Sequence, residues 1–562
     1  MQTFRPLPVP LQARNSVLAV YVPFGSDETL SNFPEGKTLA LEDHPLIDAW
    51  RQVAKAGTPV MALVDRVGAD SYLVDIPAEQ PEAMTLRSLW KLDMRDGRTL
   101  SNFLVQVHEA HPKAQLVLGL EGHGAGYLPE LDARRLTWQA VCQGSAQRWS
   151  IGDQTARPFH NAGDDSPGAP VLWEVAPYVP GGNPLTPINH QPMPTHTLGQ
   201  ALKSAQQQGV PKLAAIYFDN CFNMSAELLH TVAPYAHAAG GFCNYNFFTA
   251  GQAYALAFQK LADAGRATPL ELAQWLTDAN HAILADKGGH PTVGGALALE
   301  RMAGIKEGLH VLSGKLLDAM ASSPNRADTV ASIQKAIYEA QQYDTLFPMA
   351  LEAPDQLTDL YSLAAQLAGP IMAGYPSVQD AAATLASMLT DIKRYGDKGM
   401  PWMADEPAEG QYVWDFTEPT LAMNIFLPDP LREGQWDWRS NYYIDTDPQP
   451  FPLLDANGDP QKDANGQPIL LPPAQTGVID FLKGNNWIEF LKEYHRETKF
   501  KSFFVGKIPQ LPVQNPNYVA PQAKGEEACY CRMPRRPWPL THVAKEMLAA
   551  VREQASKMMK SE

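Results

Sequence analysis

Short apolar runs that stop abruptly, separated by stretches with helical spacing, constrain this chain more than any other feature. Ser16–Val22 (SVLAVYV) ends at Pro23, and Thr58–Asp65 (TPVMALVD), Ser71–Ile76 (SYLVDI), Ala114–Leu120 (AQLVLGL) and Leu213–Phe218 (LAAIYF) repeat the pattern. A continuous apolar run of this length is how a strand covered on both faces reads. Between the runs, Pro45–Ala56, Thr99–Ala110, Leu198–Gln208 and Met224–His237 carry helical signals. In Thr99–Ala110 the side chains of Leu100, Phe103, Leu104 and Val107 share one face. Strands alternating with helices predict an α/β fold built on a mostly parallel sheet flanked by helices.

The rest of the chain changes character twice. Residues 256–410 read as mainly helical, with Thr268-Pro269-Leu270-Glu271 a clear start signal: Thr as N-cap, Pro at the first helical position and Glu at the third. From 411 a smaller α+β part is expected, with a strand at Leu421–Leu427, a hairpin marked by the turn signals Asp455-Ala-Asn-Gly and Asp463-Ala-Asn-Gly, and a helix at Trp487–Tyr494. Residues 498–562 form a Pro-rich tail ending in a helix over His542–Lys560. The expected organisation is therefore a catalytic domain over 1–255 with a loop-rich insert at 137–197, a helical region over 256–410, a strand and helix segment over 411–497, and the tail over 498–562.

Charge and cysteine usage narrow the setting. There are 45 basic against 61 acidic residues, a formal charge of −16, which argues against nucleic acid or an anionic membrane as partner. The five cysteines, at 142, 221, 243, 529 and 531, are too few and too odd in number for a disulfide scaffold. Met1–Asn15 has no apolar signal core and no stretch reaches the length of a membrane span, so a cytoplasmic location is expected.

Two of the apolar strands run into reactive residues. Ala114–Leu120 leads into Glu121-Gly122-His123-Gly124-Ala125-Gly126, and Leu213–Phe218 into Asp219-Asn220-Cys221. Open parallel sheets place ligands at the carboxyl ends of their strands. A thiol attacks as thiolate, an adjacent imidazole promotes that form, and the same imidazole can protonate a leaving amine. Cys221 is thus the candidate nucleophile and His123 its acid–base partner. The amides of Gly124 and Cys221 are candidates for an oxyanion hole, since glycine lets the backbone approach a substrate closely. Taken singly, a histidine or a cysteine after a strand is usually structural; the pair after matching strands is far more specific.

An apolar strand ending in His-Gly and a second ending in Asp-x-Cys resemble the caspase-like peptidases, and the details resemble the clostripain family. Glu227 stands six residues after Cys221, and Tyr235-Ala236 fourteen after it, as in that family. The segment Asp93-Met94-Arg95-Asp96-Gly97-Arg98-Thr99-Leu100-Ser101-Asn102-Phe103 is similar to the family's Asp/Asn-Met/Thr-Gly-Asp-x-x-Thr-Leu-x-x-Phe. Met423-Asn424-Ile425-Phe426-Leu427-Pro428 and Trp487-Ile488-Glu489-Phe490-Leu491 look like its late strand and helix, so the resemblance spans roughly residues 16–497.

The resemblance implies a caspase-like fold and a cysteine endopeptidase acting on protein or peptide substrates through a Cys-His dyad and a thioester. Asp219 matches an aspartate at the floor of the pocket for the residue before the scissile bond, which implies a preference for Arg or Lys; the alternative is that Asp219 braces the strand-end loop. One departure bears on this. Phe242 and Cys243 stand where the family carries a Ser-Glu-type pair, and no acidic residue occurs between Glu227 and Asp263. Asn244, which follows them, is the second candidate substrate-binding residue, and Cys243 reads as a buried strand residue.

His123 and Cys221 are also 98 residues apart, the extra length lying in Thr137–Thr197. That insert reads as an inert surface loop or as a lid or a surface for a regulatory protein partner, and the resemblance implies a third possibility, activating self-cleavage between the two strands, with Arg148, Arg157, Lys203 and Lys212 as candidate points. The resemblance also allows calcium. Asp455-Ala-Asn-Gly-Asp-Pro lacks the sixth-position glycine of an EF-hand, however, and its twelfth position is Gly466, so no metal or other cofactor is expected. Cys529-x-Cys531 has no second pair at zinc spacing.

Two rival readings stand beside the peptidase. One is a catalytically silent caspase-like scaffold or adaptor, consistent with the altered pocket loop. The other is a serine-type α/β-hydrolase, which wants Gly-x-Ser-x-Gly at its nucleophile; Phe218-Asp-Asn-Cys-Phe-Asn223 has no glycine on either side.

Overall fold

In the computed structural model, the described residues fall mainly within 9–24, 40–128, 193–343, 357–396, 421–427, 462–471 and 478–498, less a few positions inside them. Most of the 137–197 insert, with Arg148 and Arg157, lies outside the described residues, as do Cys142, the Asp455 turn, Cys529-x-Cys531 and the expected His542–Lys560 helix.

The apolar runs become strands. β1 (Ser16–Phe24) is followed by α1 (Pro45–Lys55), β2 (Val60–Arg66), β3 (Tyr72–Ile76), β4 (Thr85–Ser88), α2 (Gly97–Ala110) and β5 (Gln115–Glu121). Then come α3 (Thr195–Gln207), β6 (Leu213–Asp219), α4 (Ala226–Val232), β7 (Ala236–Phe242), α5 (Gln252–Ala264), α6 (Pro269–Gly288) and β8 (Val293–Ala298). Local chemistry sets the helix starts. Asp96 caps α2 by accepting from Arg98 N–H at 2.9 Å. At α6, Glu271 accepts from Thr268 N–H at 2.7 Å while its own N–H donates to Thr268 Oγ1 at 3.2 Å, the reciprocal capping box.

Further along lie α7 (Met302–Ser322), α8 (Arg326–Glu339), β9 (Gln342–Tyr343), β10 (Leu357–Asp359), α9 (Leu360–Ala368), α10 (Pro376–Met388), β11 (Lys393–Gly396), β12 (Asn424–Phe426) and α11 (Asn486–Glu497). The main sheet has nine strands in the order β11-β8-β7-β6-β5-β1-β2-β3-β4. Its centre, β2-β1-β5-β6-β7, is parallel, while β3, β4, β8 and β11 pair antiparallel at the two edges. This is the mostly parallel sheet flanked by helices expected for a caspase-like α/β fold. Among the described residues between 256 and 396 helices predominate, and β8 and β11 from this stretch join the sheet.

Both faces of the sheet are buried. Leu118, Leu120, Ile216 and Phe218 point into a core shared with α2, α3, α4 and α7, whereas Val117, Ala215 and Tyr217 point into one shared with α1, α5 and α6. One sequence expectation needs correction. The helix expected over Met224–His237 covers only Ala226–Val232, and Ala236 opens β7. That strand is AHAAGGF, small residues that carry no strand propensity; they are there because α6 packs closely over them. A Cβ on Gly240 would fall 2.7 Å from the Ala273 carbonyl oxygen and from Thr277 Oγ1.

A second, three-stranded antiparallel sheet (β9-β10-β12) abuts the end of β6. Asn424 on β12 donates its N–H to the Met224 carbonyl at 2.9 Å, and its Nδ2 donates to Phe222 O at 2.8 Å and Cys243 O at 2.9 Å. Glu227, fully buried on α4, accepts from Phe426 N–H at 2.9 Å and from the Ser225 hydroxyl at 2.6 Å. A short strand distant in sequence therefore fixes the turn after Asp219-Asn220-Cys221.

Candidate active site

β5 and β6 are parallel neighbours, and their last residues, Glu121 and Asp219, are register partners. The loops leaving them are stitched together by asparagines. Asn220 Nδ2 donates to Leu120 O at 3.2 Å, Asn223 Nδ2 donates to Asn220 Oδ1 at 2.7 Å, and Asn223 Oδ1 accepts from Gly126 N–H at 3.2 Å. Gly124 lies so close to the second loop that a Cβ would fall 2.0 Å from the Cys221 carbonyl oxygen. Only glycine fits there. Gly122, at φ +100°, occupies backbone space that other residues rarely enter. His123, between these two glycines, lies outside the described residues.

Cys221 follows β6 directly and is 4% exposed. The next residue, Phe222, is left-handed at φ 59°, a strained conformation for a bulky side chain. It is held from both sides: its N–H donates to the Asn244 carbonyl at 3.0 Å, and its carbonyl accepts from Asn424. Asn246 covers the sulfur. Cys221 Sγ donates to the Asn246 carbonyl at 3.1 Å and accepts from the Asn246 N–H at 3.3 Å.

Beneath the thiol is a buried carboxyl pair. Asp219 is 7% exposed and Glu121 3%. Asp219 Oδ1 accepts from Asn246 Nδ2 at 2.8 Å and from Asn280 Nδ2 at 3.1 Å, and Asn280 Nδ2 also reaches Asn246 Oδ1 at 2.9 Å. Burial drives Asp219 up from 3.8 to about 6, with the bonds from Asn246, Glu121 and Asn280 opposing that rise. Burial, then the charge on Asp219, raises Glu121 well above the usual carboxylate range. Both carboxyls are therefore held above the usual carboxylate range by burial, and Asp219 is the less raised of the two and the first to ionise as pH climbs. Glu121 Oε1 and Asn280 Oδ1 are buried without a hydrogen-bond partner among the described residues.

The structure thus gathers Cys221, Gly124, Asp219 and Asn244 around two adjacent strand ends. Asn244 is fully buried, and its backbone carbonyl braces Phe222. Cys243 is also fully buried, and desolvation pushes its thiol far up, so it is an inert core residue. Sequence reasoning missed Glu121, Asn246 and Asn280. Glu121 had a usable signal, because it ends its strand one step before Gly-His-Gly just as Asp219 ends the neighbouring strand. The two asparagines had none: Asn280 sits on α6, 61 residues from Asp219. No group of three or more His, Cys, Asp or Glu able to hold a metal occurs among the described residues. No helix among them is long and apolar enough to cross a membrane.

No protein-family model matches the chain, and no curated protein matches it by sequence. Among solved structures it is similar to an inactive zymogen C11 protease from Parabacteroides distasonis, at 13% identity over 75% of this chain and 94% of that one, with a TM-score of 0.45. It is similar also to a secreted C11 cysteine protease from Bacteroides thetaiotaomicron in complex with an irreversible peptide inhibitor, at 13% identity, 76% and 96% coverage and a TM-score of 0.46. A clostripain from the same organism, bound to a peptide inhibitor, aligns at 10% identity over 42% of this chain and 86% of its own, with a TM-score of 0.27. With identities this low, what the chain does is read from its own residues.

Proposed function

We propose that the chain is a cysteine endopeptidase in which Cys221 attacks the peptide carbonyl, His123 carries the proton, and Asp219 selects a basic residue before the scissile bond. The supporting observation is the approach of the Gly124 backbone to Cys221 at the carboxyl ends of two parallel strands. Gly122-His123-Gly124 comes from one strand end and the thiol from the other, so two groups far apart in sequence serve one cleft.

The chemistry follows from the residue types. The thiol proton passes to the imidazole, and the sulfur adds to the carbonyl carbon. The oxyanion so formed is met by the backbone N–H groups of Gly124 and Cys221. The imidazolium returns its proton to the departing amine, leaving a thioester, and water activated by the same imidazole hydrolyses it. The buried negative charge on Asp219 favours a guanidinium or ammonium. The acceptors Glu121 Oε1 and Asn280 Oδ1 match the several donors of an arginine side chain.

A peptide library cleaved by wild type beside Cys221→Ala tests the reading. Cleavage after Arg or Lys that disappears in Cys221→Ala is the expected result. In parallel, alkylation of Cys221 should slow sharply in His123→Ala. Equal cleavage by wild type and Cys221→Ala, or labelling of Cys221 that ignores His123, ends the assignment.

A further inference from the structure

Asn246 touches both functional groups at once. Its backbone N–H and carbonyl bracket the Cys221 sulfur, and its side-chain amide donates to Asp219 Oδ1 at 2.8 Å. As long as Cys221 donates to the Asn246 carbonyl, its sulfur is held as a thiol. A thiolate cannot donate, and it would face the carbonyl oxygen's lone pairs at the same 3.1 Å. The carbonyl therefore opposes the thiolate, the N–H at 3.3 Å favours it, and the two together withhold the nucleophile by pinning its proton and covering a residue only 4% exposed. What holds Asn246 in place is its side chain, pinned between Asp219 and Asn280.

We propose that Asn246 is a positioning residue that couples substrate recognition to release of the nucleophile: a cationic side chain arriving at Asp219 displaces the Asn246 amide, and the Asn246 backbone then lets go of the Cys221 sulfur. This rests on the peptidase reading and on Asp219 as the recognition carboxylate. The exchange favours the cation, because an ammonium or guanidinium brings a full opposite charge to the carboxylate, and a guanidinium a bidentate fit, neither of which a single amide N–H supplies. The site also keeps acceptors for the newcomer: Glu121 Oε1 and Asn280 Oδ1, both buried and unpartnered among the described residues, would take donors that the Asn246 amide does not supply. A substrate with a neutral side chain gains nothing by displacing the amide, so the same device adds to specificity.

The test separates the coupling from the chemistry. Cys221 alkylation by iodoacetamide is followed by mass spectrometry with no additive, with n-butylguanidinium, and with n-butylurea as neutral counterpart; neither additive has a scissile bond. In wild type, n-butylguanidinium should speed alkylation about fivefold, the factor that corresponds to removing one hydrogen bond of ordinary net strength, and n-butylurea should not. Asn246→Ala, which keeps the backbone and loses the amide anchor, should label about fivefold faster without additive and no longer respond to the cation. An unchanged or slower wild-type rate with n-butylguanidinium overturns the coupling, as does an Asn246→Ala rate equal to wild type. The peptidase reading is checked apart from this by an acyloxymethyl ketone on a peptide ending in lysine. If that reagent labels Cys221 while n-butylguanidinium has no effect, the peptidase stands and the coupling falls. If it fails to label, the peptidase reading itself falls.

Discussion

Replacing Asp219 by asparagine should change how stability depends on pH, and the size of the change can be worked from the site. Asp219 sits at about 6 in the folded chain against 3.8 as reference, so the native state holds its proton more tightly than the unfolded chain does. A group raised in this way gives its full stabilisation below pH 3.8, and that stabilisation is lost as pH rises through about 6. The climb corresponds to about 3 kcal/mol at about 1.36 kcal/mol per pH unit. Asp219→Asn removes the titration and keeps an oxygen able to accept from Asn246 and Asn280. The difference in unfolding free energy, variant minus wild type, should thus increase by at least about 2 kcal/mol between pH 4 and pH 7.5. Tyr217 and Tyr254, buried beside it, are held above their usual range and do not titrate in this window, whereas Glu121, raised in part by the Asp219 charge, is raised less in the variant and steepens the difference in the same direction. The measurement is equilibrium unfolding by urea at several pH values, followed by tryptophan fluorescence. The slope is diagnostic, because a new side-chain amide can add a constant offset. A flat difference, or one that falls as pH rises, refutes the picture of a buried charge held at Asp219. The same variant should lose its preference for basic residues in the cleavage profile.

Three further outcomes rest on contacts around the same strand ends. Gly124→Ala pushes a methyl group into the Cys221 carbonyl and should reduce kcat by about a hundredfold, the effect of losing one oxyanion donor; a variant keeping half its turnover would show that this loop is not part of the site. Glu227→Ala strands the Phe426 N–H and the Ser225 hydroxyl in a fully buried place and should destabilise by about 2–5 kcal/mol, against about 1 kcal/mol for Glu227→Gln, which can still accept from Phe426; equal shifts of the urea midpoint for the two would contradict this. Of the two described cysteines, Cys221 should be alkylated in the folded chain at neutral pH and Cys243 should not, because burial raises the Cys243 thiol far up. Comparable labelling of both, read by peptide mass mapping, would remove the distinction.

The sheet and the meeting of the β5 and β6 ends were legible in the sequence for one reason: both are written in contiguous residues. An apolar run of five to seven residues reads as a covered strand, and the residues just after it must emerge at the sheet's edge. β7 was misread because the usual signal was inverted. With helices packed tightly on it, a central strand is made of alanine and glycine, and such a run looks like the continuation of a helix. The asparagine network was invisible for a different reason. Asn280 is brought to Asp219 by the packing of α6 against the sheet and Asn246 by the loop that leaves β7, and no local pattern distinguishes them from surface asparagines. Glu121 stands between these cases, since its position was readable and only its pairing across the sheet was not. A carboxyl group does stand beside Asp219, but it comes from the neighbouring strand as Glu121 and not from the residues after Cys243.

Two unfavourable features also meet in one tetrapeptide. Asp219 keeps a charge in a buried place, and Phe222 is held in a left-handed conformation that costs about 1–3 kcal/mol. Cys221 lies between them. Neither feature relaxes, because Asn244, Asn246, Asn280 and Asn424 fix the backbone and the carboxylate from separate elements. A loop serving only to connect β6 to α4 would place a small or polar residue at 222 and an apolar one at 219, and would be more stable for it. Strain and buried charge maintained on both sides of a single thiol, at a strand's carboxyl end, are what a chain keeps when that thiol has work to do.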